Sequence, residues 1–148
     1  FLSNGPGDPL ATSKYALDTI KQIIRKEIPT FGICLGHQLL ALALNAKTKK
    51  MHHGHHGVNQ PVKNTLTNKI EITSQNHGFM VEKNSLPKNL KISHLSLFDN
   101  IIQGIEHKSK PFFSVQYHPE SSPGPHDSKY LFDKFKKLIE SKSSAKKN

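Results

Sequence analysis

Cys34 is the only cysteine in this 148-residue chain, and it stands inside Gly32-Ile33-Cys34-Leu35-Gly36-His37-Gln38. The run Pro29 to Ile33 enters it as a strand would, and Leu39 to Leu44 leaves it as a helix would. Strand, tight turn flanked by small residues, then helix is the layout of a nucleophile elbow. Gly32 and Gly36 are expected to let the backbone bend sharply and to keep bulk away from the sulfur. The helix start points free N–H groups and the positive end of its dipole at Cys34, which favours thiolate over thiol. A lone cysteine is more often a small buried hydrophobe, so the assignment rests on finding its partners. A thiolate nucleophile needs a base and a group that orients the base. His118-Pro119-Glu120 offers both, after a predicted strand over residues 112–117. Positions i and i+2 of an extended chain share a face, and the proline between them discourages helix. A bare His-x-Glu would be an ordinary strand-end turn; it acquires meaning beside the elbow.

Bringing residue 34 to residue 118 calls for a layered α/β fold. Phe1-Leu2-Ser3 reads as the end of a strand, and the Gly5 loop leads to a helix capped by Thr12 or Ser13, with Leu17, Ile20 and Ile24 on one face. The Cys34 strand and its helix follow, the helix ending near Asn45. The middle of the chain, about residues 51–105, predicts strands over Val58–Val62, Lys69–Thr73, Leu90–His94 and Ile101–Ile105. Asn76-His77-Gly78 by itself reads as a turn after Ile70–Ser74. A last helix is predicted from near Asp127, with Leu131, Phe135, Leu138 and Ile139 on one stripe. Residues 1–140 form one domain in this reading, and the lysine-rich residues 141–148 a disordered tail.

Gly-Ile-Cys-Leu-Gly-His-Gln together with His-Pro-Glu resembles the class I, triad-type glutamine amidotransferases, and Phe1 to Pro9 is similar to their glycine-rich oxyanion loop. Three further segments, Gly54–Val62, Gln75–Phe79 and Ser121–Asp127, are similar to the branch of that family formed by carbamoyl-phosphate synthase small subunits. The resemblance runs from residue 1 to about residue 140. It implies a flavodoxin-like, mostly parallel sheet flanked by helices, with the first strands absent. The family has strands ahead of the Gly5 loop and a further N-terminal domain, so the sequence is expected to be a fragment with apolar sheet edges that invite self-association.

The resemblance also implies roles. Cys34 would attack the side-chain amide of glutamine, His118 would carry the proton, and Glu120 would orient the imidazole. Backbone N–H groups of Gly5 and Leu35 would meet the oxyanion. Gly7, Gln38, Asn76, Gly78 and Phe79 fall on glutamine-contact positions. The ammonia would pass to a large synthase subunit, on which ATP and magnesium are expected; no cofactor is expected on this chain. Two alternatives stay open: a subunit that binds glutamine without hydrolysing it, and an amidotransferase serving another synthase.

Nothing else in the sequence displaces that reading. Gly5-Pro6-Gly7-Asp8-Pro9 lacks the spacing of either phosphate-binding glycine motif. His52, His53, His55 and His56 invite a metal hypothesis, but zinc sites want ligands spread over a rigid frame, and there is no second cysteine. The net charge of +10 raises nucleic acid as a partner, yet the lysines are dispersed and Arg25 is the one arginine. Mean hydropathy is −0.54 with no long apolar run, so neither membrane nor nucleic acid is expected as a partner. A single cysteine makes an internal disulfide impossible and fits a reducing cytoplasm.

Overall fold

The computed structural model describes residues 1–121 and 125–146. Residues 122–124, in the middle of the Ser121–Asp127 segment singled out above, lie outside the described residues, as do residues 147 and 148.

Helix α1 (Pro9–Arg25) opens on Asp8, whose Oδ1 accepts the Leu10 N–H at 2.8 Å, with Pro9 in the first turn. Asp8 is therefore the cap, and the expected Thr12 and Ser13 hydroxyls instead bond back to the Asp8 and Leu10 carbonyls inside the helix. Strand β1 (Thr30–Ile33) leads to helix α2 (Leu35–Ala43), which stops where Asn45 turns left-handed at φ 71°. There the N–H of Ala46 reaches the Ala41 carbonyl and that of Asn45 reaches Leu42, a closure that satisfies the last carbonyls.

Strands β2 (Thr48–Asn64), β3 (Ile70–Val81), β4 (Leu90–Ser96), β5 (Ile102–His107) and β6 (Phe112–Val115) complete a six-stranded sheet in the order β1-β6-β5-β4-β2-β3. The α/β class stands, but the sheet is mixed where a mostly parallel one was expected. Only β1 and β6 run parallel, with Leu2 adding one parallel bridge to Gly32. The β2–β3, β2–β4, β4–β5 and β5–β6 pairings are antiparallel. Short connections such as 65–69, 97–101 and 108–111 can close only antiparallel neighbours; a parallel one needs a long crossover.

Strands β2 and β3 are far longer than the predicted segments. Asn76-His77-Gly78 is no turn: His77 pairs with His55 and Asn76 with His56 within the ladder. Local turn propensity yields to cross-strand pairing, and irregularities between Lys50 and His55 and between Gly57 and Gln60 bend the ribbon.

Two apolar layers cover the sheet. Ile20 of α1 and Leu39 and Leu40 of α2 pack with Ile102, Ile105 and Phe112, while on the other side Phe31, Phe113 and Val115 meet Leu131, Phe132 and Phe135 of helix α3 (Tyr130–Ala145). Helix α3 begins after the predicted Asp127, because residues 127–129 form a turn. It also runs through most of the predicted tail to Ala145. Ser141 and Ser144 hydroxyls bond to the Lys137 and Glu140 carbonyls, so these residues continue the helix. Among the described residues, no helix is long and apolar enough to cross a membrane.

Candidate active site

Cys34 sits between β1 and α2 with φ 53° and ψ −106°, a backbone conformation that costs a non-glycine residue about 1–3 kcal/mol. It is held there because its N–H bonds to the Val115 carbonyl at 3.0 Å and its carbonyl takes the Gln38 N–H at 3.2 Å. The unusual torsion thus falls on Cys34 itself rather than on the flanking glycines. Gly32 and Gly36 serve close approach: a Cβ on Gly32 would stand 2.7 Å from the Gly36 carbonyl oxygen, and one on Gly36 would overlap the Leu2 carbonyl. The first turn of α2 can therefore lie directly against the strands, with the sulfur lifted at the junction.

Val115 is also where β6 ends, and three residues later the chain delivers His118. Its segment is a turn rather than the predicted extension, tied to β3 by the His118 N–H on the Ser74 carbonyl at 2.8 Å. Even so, His118 Nδ1 donates to Glu120 Oε1 at 2.7 Å, which leaves Nε2 as the ring nitrogen for Cys34. The hydrogen bond with Cys34, then that with Glu120, pushes the imidazole up to about 10 against the opposing effect of burial. For Glu120, burial works to raise the carboxyl, yet the His118 bond and charge prevail and hold it below the usual carboxylate range.

Cys34 opens onto a cleft of about 500 Å³ whose lining includes Gly5, Gly7, Leu35, Gln38, Asn76, Gly78 and Phe79. All the glutamine-contact positions implied by the family resemblance thus face one cavity with the sulfur, and His118 reaches that sulfur by a hydrogen bond. Gly5 packs so closely that a Cβ there would lie 2.9 Å from Leu35 Cδ2, and Gly7 takes φ 95°, a conformation suited to glycine. The Cys34 thiol donates to the Asn76 carbonyl at 3.8 Å, so the long β3 brings its middle to the sulfur.

Other residues entered the site without being anticipated. Gln116 donates from Nε2 to Cys34 Sγ at 3.7 Å, and nothing in a strand-like Phe-Ser-Val-Gln-Tyr run marked it out. His56 lines the cleft, bonded through Nδ1 to Asn76 Oδ1 at 2.7 Å. Its neighbour His55 is buried between Asp99 at 2.8 Å and Gln75 at 3.0 Å, which explains part of the histidine tract as packing of the β2–β3 ribbon. His77 lines the cleft as well; burial holds its imidazole down at about 4, against the Phe79 carbonyl bond that would raise it.

A buried cysteine, a histidine paired with a carboxylate, and a polar cleft on the sulfur make a site for nucleophilic attack on a small carbonyl substrate. The sequence model of the family described as "Glutamine amidotransferase class-I" matches residues 1–138. The carbamoyl phosphate synthase small chain of Bradyrhizobium diazoefficiens is 61% identical over 145 residues, 98% of this chain and 37% of that protein. That of Bartonella bacilliformis is 64% identical over 139 residues, covering 94% of this chain and 35% of its own length. The chain therefore spans little more than a third of the curated relatives it matches. Among solved structures, a glutamine amidotransferase from Thermotoga maritima superposes with a TM-score of 0.69 at 25% identity, over 95% of this chain and 63% of that one. A Thermoplasma acidophilum protein assigned to GMP synthase shares the fold, with a TM-score of 0.83 at 24% identity over 99% of this chain and 75% of its own.

Proposed function

The chain belongs to the class-I glutamine amidotransferase family, and from that premise we propose that it is the glutamine-hydrolysing part of a carbamoyl phosphate synthase small chain. The observation that carries this reading is the His118–Glu120 pair, 2.7 Å apart, hydrogen-bonded through His118 to a cysteine that opens onto a cleft lined by Gln38 and Asn76. The identity of about 60% to small chains of that synthase favours this acceptor over another.

In the proposed reaction the Cys34 sulfur, its proton held by the raised His118 imidazole, bonds to the side-chain amide carbon of L-glutamine. The N–H groups of Gly5 and Leu35 face the oxygen that gains charge. His118 then protonates the leaving nitrogen, the C–N bond breaks, and ammonia departs from a glutamyl thioester. Water, deprotonated by the same imidazole, hydrolyses the thioester to glutamate and returns the thiol. Glu120 holds the imidazole in the tautomer that keeps Nε2 on the sulfur. Gly7, Gln38, Asn76, Gly78 and Phe79 orient the amino-acid end of the substrate. The ammonia is consumed on the large subunit, where ATP, magnesium and bicarbonate yield carbamoyl phosphate for arginine and pyrimidine biosynthesis in the cytoplasm.

The test is ammonia release from amide-labelled glutamine by the protein paired with the large subunit, with Cys34→Ser in parallel. Release that depends on Cys34 and rises with the partner establishes the reading. Release indifferent to the serine change removes Cys34 as nucleophile, and bound glutamine without release makes the protein a glutamine-binding subunit.

A further inference from the structure

Gln116 is fully buried, with an exposure of 0%, yet its amide is spent on the site rather than on the core. Its Nε2 donates to Cys34 Sγ at 3.7 Å, and its Oε1 accepts from Gln38 Nε2 at 3.0 Å. Gln38 in turn donates its other Nε2 hydrogen to the Phe79 carbonyl at 3.1 Å. These bonds fix both amides. Gln38 has two N–H groups and both are taken by oxygens, so its own Oε1 is the end left over, in a residue that lines the cleft. Because Gln116 must present oxygen to Gln38, it must present N–H to the sulfur. Turning the Gln116 amide over would set donor against donor, and turning the Gln38 amide over would set acceptor against acceptor.

We propose that Gln116 is a positioning residue for the reaction described above: it holds the Cys34 sulfur and couples it to Gln38, the side chain that reads the substrate. The inference rests on the proposed glutamine chemistry for its substrate and on the amide relay for its mechanism. As a thiol the sulfur is held from two sides, donating to the Asn76 carbonyl at 3.8 Å and accepting from Gln116. Once the proton moves to His118, the Gln116 N–H faces an anion, where a hydrogen bond is worth more than to a neutral thiol. The Asn76 carbonyl is released at the same moment and becomes an acceptor for the substrate. Phe79, Gln38, Gln116 and Cys34 thus form one chain, so a substrate that seats correctly on Gln38 also steadies the nucleophile.

Two substitutions separate the two ends of the relay. Gln116→Glu keeps the oxygen that Gln38 needs and replaces the N–H that the sulfur needs. Gln116→Leu removes both. The glutaminase kcat and KM are measured with the large subunit present, together with the rate of Cys34 alkylation by iodoacetamide and the thermal midpoint of each variant. Gln116→Glu is expected to lower kcat and the alkylation rate by about tenfold while KM stays within about twofold. Gln116→Leu is expected to lower kcat similarly and to raise KM by about tenfold. Gln38→Leu, which reaches the sulfur only through Gln116, is expected to slow alkylation as well. Unchanged alkylation and unchanged kcat in folded Gln116→Glu overturn the proposal, as does a loss in every variant that merely tracks its unfolded fraction. Should the unaltered protein release no ammonia, the amidotransferase reading fails, and the alkylation rates alone decide whether Gln116 holds the sulfur.

Discussion

His118 Nδ1 and Glu120 Oε1 meet at 2.7 Å although only one residue separates them, because the chain turns at Pro119 instead of running extended. The pair is therefore a local unit, carried to Cys34 whole by the end of β6. Glu120→Gln keeps the size of the side chain and removes the charge that fixes the imidazole tautomer. Glutaminase kcat is expected to fall by about 100-fold, at the low end for loss of acid–base function, because the half-exposed carboxylate is partly replaced by water. A kcat within about threefold of the original would show that Cys34 alone orients His118.

The same unit makes stability depend on pH at the alkaline end. His118 is held up at about 10, first by Cys34 and then by Glu120, above its ordinary value of 6.5. A raised histidine binds its proton more tightly in the folded state. Its stabilisation is complete below pH 6.5 and is lost as pH rises through about 10. The thermal midpoint is expected to fall across that window, and His118→Gln is expected to flatten the fall. An NMR titration of His118 with a midpoint near 6.5 would contradict it.

At the acid end two other histidines act in the opposite sense. His37 is fully buried, with Nδ1 on Ser114 Oγ at 2.8 Å, and burial followed by the nearby His77 charge holds it down at about 3. His77 is held down at about 4, mainly by burial. Each takes up a proton more readily when unfolded, so stability is full above about 6.5 and is lost as pH falls toward those values. His37→Gln, which can still bond to Ser114, is expected to shift acid unfolding monitored by circular dichroism to lower pH. An unshifted acid midpoint would assign the acid loss to other groups.

The elbow and the His-Glu pair were legible as candidates because their signals are local: a cysteine between glycines, and a His-x-Glu two residues apart. The cleft positions near the Gly5 loop and the start of α2 came from the family resemblance instead, because Gly5-Pro6-Gly7-Asp8-Pro9 alone is a generic loop. Asn76 and Gly78 were read locally as a turn, yet they sit mid-strand, since Asn76 and His77 pair with His56 and His55 about twenty positions away. The mixed sheet was missed because the weak alternation of the middle segment hid a β2–β3 ribbon with bulges. Gln116 carried no signal at all: its neighbours Val115 and Tyr117 are core residues, and only the folded chain places its amide on the sulfur.

Gly36 gives a direct test of the elbow. Its absent Cβ is what lets α2 begin against the Leu2 carbonyl. Backbone sits on the other side of that contact, so no side-chain rotation can relieve Gly36→Ala. The substitution is expected to cost about 1–3 kcal/mol in a denaturant titration and to lower Cys34 alkylation as the helix start moves away. Unchanged stability together with unchanged alkylation would mean that the Leu2 segment yields freely and does not define the elbow.

Phe31 ties the strand that leads to Cys34 to the far helix. It is 0% exposed in β1, just ahead of Cys34, stacked on Phe113 at 4.4 Å and edge-on to Phe132 at 5.8 Å. The β1–β6 pairing sets Phe31 directly beside Phe113, so the strands that lead to Cys34 and to His118 share this anchor against α3. Phe31→Ala is expected to cost about 3–5 kcal/mol, from lost burial and the cavity left behind. Phe31→Leu should recover more than half of that, because apolar volume matters more here than ring geometry. Both are measured by denaturant titration followed through circular dichroism. If Leu proved as damaging as Ala, the stacking of Phe31 on Phe113, rather than the filling of the core, would be what holds β1 and β6 in register.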